Sequence, residues 1–182
     1  MPRPYKIPTS HIRRKSKIQD PKSKMVSTLW SHLHQIQSLT FVAQSSAQTG
    51  WNGRGRGRVQ VESVNDQCLL FHERGFWEPE EGRSLRFRNV FRWSWVPDSN
   101  SLRLEHLRFG AAHPVLLFDL VQVEPQVWRS LAPHDCGADQ YVARLTQGDQ
   151  GISVHWTVTG PRKQEAIAYQ YSGHLPNDPL LR

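Results

Sequence analysis

Three scarcities narrow this 182-residue chain before any motif is considered. No run approaches the roughly 18 consecutive apolar residues of a membrane helix, and nothing near the N-terminus has the apolar core of a secretory signal, so a soluble protein is expected. Cysteine is limited to Cys68 and Cys136. Two are too few for a disulfide framework, which makes a reducing compartment, and hence the cytoplasm, the first expectation. Acidic residues are nearly missing from the start: residues 1–24 carry eight lysines and arginines against Asp20 alone, and this stretch accounts for the whole net charge of +7. From Met25 onward acids and bases balance at fifteen each. A uniformly basic domain would point to nucleic acid; a basic arm on a neutral domain argues against that partner.

With Pro2, Pro4, Pro8 and Pro21 and few apolar residues, the arm cannot bury enough surface to offset its ordering entropy. Residues 1–24 are therefore expected to be disordered. They read as a solvated leader ahead of a start at Met25, as an anchor for an anionic partner, or as an organelle-targeting peptide that would take the protein out of the cytoplasm.

What the remainder has in quantity is periodicity. Val26, Leu29, Trp30, Leu33 and Ile36 recur at spacings of three and four, which predicts one short helix over 25–37 with Ser27 or Thr28 as its cap. Such a helix is expected to close one end of a barrel. The period then switches to two and stays there. In the clearest case Leu85, Phe87, Asn89, Phe91, Trp93 and Trp95 share one face, against Arg86, Arg88, Val90, Arg92 and Ser94 on the other. Similar segments follow at 113–123, 127–132, 139–146, 151–160 and 164–172, separated by turn residues too closely spaced for crossover helices. The expectation is all-β: an antiparallel up-and-down barrel of nine or ten strands over 38–173, with a C-terminal tail at 174–182.

Several chemical signals dissolve on inspection. Gly53-Arg54-Gly55-Arg56-Gly57-Arg58 resembles an arginine-glycine repeat, but three units running into Val59-Gln60-Val61 read as a loop and the exposed face of a strand. His134-x-Cys136 has no second pair at zinc spacing, so no metal site is expected. His72, His106 and His155 fall inside strands, where a lone histidine is more often a hydrogen-bonded wall residue than a ligand.

Two polar clusters resist that dismissal. Pro133 and Gly137 punctuate a turn and Asp139-x-Tyr141 opens the next strand, so His134, Cys136, Asp139 and Tyr141 have a route to one end of the barrel. Gly160-Pro161 breaks the strand carrying Trp156 and sets Arg162 and Lys163 at a corner, where a cation meets either Asp139 or a ligand anion. The plain alternative is a closing salt bridge between Asp139 and Arg162.

Leu69-x-Phe71-x-Glu73-x-Gly75, Phe91-x-Trp93, His134-x-Cys136-Gly137-x-Asp139-x-Tyr141 and Trp156-x-Val158-x-Gly160-Pro161-Arg162-Lys163 together resemble the signature of a widespread family of small bacterial and fungal proteins of unknown function. That family is similar to lipocalins in its expected barrel. The resemblance spans roughly residues 38–172 and implies a calycin-like fold with a shared polar site on His134, Cys136, Asp139, Tyr141, Arg162 and Lys163. It implies no activity. Leu116 stands where the pattern has His, Phe71 where it has Tyr, and Gln164-Glu165 where an acidic-aromatic pair is usual. If those positions belong to a catalytic set, this chain has lost part of it.

Three functional classes follow. The favoured one is a binding module: a hydrophobic or amphipathic acidic ligand, of the fatty-acid or tetrapyrrole kind, held in the barrel by His134, Cys136, Asp139, Tyr141, Arg162, Lys163, Trp156, Glu73 and Trp93. The second is an enzyme or chromophore-lyase-like protein using His134, Cys136, Asp139 and Tyr141. The third is a structural subunit docking through the basic arm and the Arg86, Arg88, Arg92 face, for which a filled barrel without a cavity would be expected.

Overall fold

The computed structural model describes residues 21–46 and 52–175, with side chains from Thr28 onward. Most of the basic arm, residues 1–20, and most of the C-terminal tail, residues 176–182, lie outside the described residues. One helix, α1 (Pro21–Gln35), precedes eleven strands: β1 (Ser38–Ser45), β2 (Gly53–Asn65), β3 (Cys68–Pro79), β4 (Leu85–Val96), β5 (Ser101–His106), β6 (Val115–Glu124), β7 (Val127–Ser130), β8 (His134–Cys136), β9 (Asp139–Gly148), β10 (Gly151–Thr159) and β11 (Gln164–Ser172). Every pairing is antiparallel, neighbours follow chain order, and β11 returns to β1, so ten strands close a barrel. The eleventh, β8, continues along β9 where β7 leaves off: β7 pairs with Arg144–Thr146 and β8 with Asp139–Tyr141. The expected barrel with one helix is thus the observed architecture.

Alternation produces the wall. Along β4, Phe91 and Trp93 are buried while Arg86 and Arg88 are exposed. Along β2 the inward residues are Gly53, Gly55 and Gly57, so the Gly-Arg run is wholly strand and its arginines stand on the outside. The glycines are required by what faces them. A Cβ on Gly55 would overlap the Phe41 ring, and Gly57 pairs in register with Gly75 where β2 and β3 approach too closely for any side chain. Bulk deleted on β2 is supplied by aromatic rings from β1, β3 and β4.

The helix closes one end. Leu29, Leu33 and Ile36 are buried against Leu39, Leu69, Trp93, Leu102, Leu145 and Ile152, forming a packed lower half. It begins at Pro21, several residues before the expected cap, because proline at a first helical position sacrifices only an N–H that has no intrahelical partner anyway. A register shift between Leu104 and Glu105 of β5 gives β6 an extra residue. Leu117 and Phe118 therefore both face inward, and the strand's alternation changes phase at that point.

Candidate functional site

Opposite α1 the barrel is not filled. A cavity of about 470 Å³ opens there, within the roughly 300–1,000 Å³ usual for small-molecule sites. Its wall is mostly aromatic. Trp77 stacks on Phe41 at 5.3 Å, Phe41 on Tyr169 at 4.9 Å, and Tyr169 on Trp156 at 5.5 Å, giving a continuous ladder of rings across β3, β1, β11 and β10. This ladder lies against the backbone that the β2 glycines leave bare. Phe87, Phe91, Leu117 and Ile167 complete the apolar surface.

The polar groups are few, and the charged ones are cationic: Asn89, His106, His134, Tyr141, Cys136, Arg86 and Arg108 contribute to the lining, and no carboxylate does among the described residues. His106 stacks on Phe91 at 4.7 Å, and burial followed by the nearby Arg108 charge pushes its pKa below the usual value, so it is neutral at pH 7. The His134 and Tyr141 rings meet edge-on at 6.0 Å where β8 pairs with β9. Trp156 has its Nε1–H buried with no acceptor, a donor suited to a ligand oxygen.

Beneath the cavity sits a buried acid. Glu73 accepts a hydrogen bond from the Tyr171 hydroxyl at 2.7 Å and one from Asn89 Nδ2 at 3.3 Å. Burial outweighs these bonds and pushes its pKa up to about 7. Tyr169 and Tyr171 are raised as well, first by burial and then by the Glu73 charge, so both stay phenolic. Asn89 links the two regions, lining the cavity with one side and reaching Glu73 with its amide.

Of the residues expected from sequence, His134, Cys136, Tyr141 and Trp156 come together in the lining. Asp139 and Lys163 form an ion pair at 2.8 Å outside it. The corner bridge therefore uses Lys163, while Arg162 is exposed and lines no part of the cavity. Glu73 lies under the floor, and Trp93 is packed in the lower half with its indole N–H lacking an acceptor. Because the Lys163 side chain is 41% exposed, the pair is solvent-screened. Asp139→Asn is accordingly expected to cost less than about 1 kcal/mol in chemical denaturation, against the several that a buried pair would show.

Sequence reading missed Phe41, Trp77, Arg86, Asn89, His106, Arg108 and Tyr169. A signal for the rings existed: three inward glycines on one strand require large inward residues on the strands beside it. Arg108 follows the end of β5 in an irregular segment and has no such signature.

The chain matches the model described as "Family of unknown function (DUF6314)" over residues 30–173. It belongs to that family. The DUF6314 match contains every residue that lines the cavity, from Phe41 to Tyr169, and excludes the basic arm. Membership brings no activity with it. No curated protein and no solved structure gives a significant match.

Proposed function

We propose that this DUF6314 barrel is a binding protein for a small, largely apolar molecule carrying an acidic head, of the fatty-acid or tetrapyrrole kind. The observation that carries the reading is the pairing of an aromatic wall with a lining that, among the described residues, holds two arginines, two histidines and no acid. An apolar body is stabilised by the ring ladder at about 25 cal/mol per Å² of buried area. The head is held at the mouth, where Arg108 replaces the Arg162 and Lys163 corner in that role. Trp156 Nε1 and Tyr141 provide further polar contact. Free Cys68 and Cys136 fit a reducing compartment such as the cytoplasm. Catalysis by His134, Cys136, Asp139 and Tyr141 is the less favoured reading, because Asp139 is engaged by Lys163 outside the cavity while His134 meets Tyr141 edge-on. The cavity likewise disfavours a purely structural subunit.

The test is a titration of the purified protein with long-chain fatty acids and porphyrins, followed by the emission of Trp77 and Trp156. A charge-assisted hydrogen bond contributes about 1.5–3 kcal/mol, so Arg108→Ala is expected to weaken binding about ten-fold, and a methyl ester of the ligand should show no such dependence. Failure of every compound to bind would refute the carrier role.

A further inference from the structure

The cavity accounts for the inward half of the Gly-Arg run and leaves its outward half unexplained. With Gly53, Gly55 and Gly57 facing in, Arg54, Arg56 and Arg58 face out. The register then sets Arg58 opposite Arg74 and Arg74 opposite Arg88, while in the next rank Arg56 faces Phe76 and Phe76 faces Arg86. Five arginines on three adjacent strands thus flank one aromatic ring, over which the Arg86 guanidinium sits at 5.8 Å, while Arg54 faces Glu78.

Such an arrangement opposes the fold, since like charges directly opposite one another destabilise a sheet. Neutralisation is partial. Arg56 bonds Glu78 at 2.8 Å, Arg74 reaches only the Gln60 amide oxygen at 3.3 Å, and Arg58 Nε is buried with no acceptor. Solubility alone does not demand this chemistry, because the adjacent strand β1 places the neutral Ser38 and Thr40 opposite Arg58 and Arg56. The overall charge balance after Met25 conceals the patch, because, Glu78 apart, most acids lie elsewhere on the chain.

We propose that the outer face of β2, β3 and β4 binds single-stranded nucleic acid, with phosphates on the arginines and a base against Phe76. Arginines at alternate positions of β2 stand about 6.7 Å apart, comparable to the step between successive phosphates of an extended strand. Guanidinium forks match phosphate oxygens in a bidentate manner, and a ring among them offers the sequence-tolerant stacking used for unpaired bases. A lipid surface would ask for apolar side chains standing above the charges, whereas Phe76 is half-buried under Arg86.

The experiment is fluorescence anisotropy of a fluorescein-labelled oligouridylate titrated with the full chain over a range of salt. With three or four phosphates neutralised, log Kd is expected to change with log salt at a slope of about 2 to 3 in magnitude. The triple variant Arg58→Gln, Arg74→Gln, Arg88→Gln should weaken binding at least ten-fold and lower that slope by about 2; thermal unfolding checks that it folds. Phe76→Ala should weaken binding about ten-fold and leave the slope in place. The proposal is overturned if the oligonucleotide does not bind at low salt or if both variants bind like wild type. It is equally overturned if a duplex of the same length binds as well with no effect of Phe76→Ala, or if phosphatidylserine vesicles bind where the oligonucleotide does not.

Discussion

Replacing Glu73 with glutamine is expected to stabilise the protein by roughly 3 kcal/mol at about pH 8 and to change little at about pH 4. The folded state holds the Glu73 proton with a pKa of about 7 against an ordinary value of 4.5, and each pKa unit corresponds to about 1.4 kcal/mol. The folded pKa is raised, so the stabilising contribution is fully present below about 4.5, where the carboxyl is protonated in both states. It is lost as pH rises through 7 and the folded barrel must bury a charge. Glutamine keeps an acceptor for Tyr171 and carries no charge at any pH. Denaturant midpoints of the two proteins measured from about pH 4 to about pH 8 isolate Glu73 from the other titrating groups; parallel curves would show that its burial is relieved in solution. The same proton bears on the proposed binding role, since below pH 7 the floor under the cavity is neutral and would not repel an acidic ligand.

Gly75→Ala is expected to lower stability by about 3 kcal/mol and Tm by roughly 6–12 °C. The added Cβ would lie well inside contact distance of the Arg56 carbonyl and 2.6 Å from the Gly57 Cα. These are backbone atoms of the paired strand and cannot rotate aside, so β2 and β3 must separate and the ring ladder behind them must shift. Gly148→Ala is the control, because its Cβ would meet only the Gly151 oxygen at 3.8 Å, and it should stay within roughly 0.5 kcal/mol of wild type. Calorimetry of the two variants checks the contrast. Equal melting temperatures would mean that the β2–β3 approach is not as close as described.

The fold was legible because a strand with one buried face writes its period directly into the sequence, as Leu85 to Trp95 does. Position along the barrel axis is not written there. Trp93 and Phe87 share an inward face, yet Trp93 packs under the helix and Phe87 lines the cavity, and only the tilt and stagger of ten strands decide which. The site was legible where the chain itself joins its parts, as with His134, Cys136 and Tyr141 on the short β8–β9 pair. It was not legible across long separations: Glu73 and Tyr171 lie 98 residues apart, and Asn89 meets Glu73 only through the β3–β4 register. At the Gly160 corner the sequence suggests a bridge from Asp139 to Arg162, and the turn delivers Lys163 instead. The Gly-Arg run reads in part as a loop because it offers no apolar alternation, whereas the structure makes it strand throughout, with rings pressed on one side and solvent on the other.

The central claim is that the cavity is the binding site, and Ala43→Phe tests it most directly. Ala43 is buried in the lining, so a phenyl ring there occupies space a ligand needs while remaining compatible with the aromatic wall. The measurement is a titration of wild type and this variant, side by side, with whichever fatty acid or porphyrin binds best. Loss of binding in a variant that melts like wild type is the predicted result; binding of equal strength in both would place the ligand elsewhere and contradict the account.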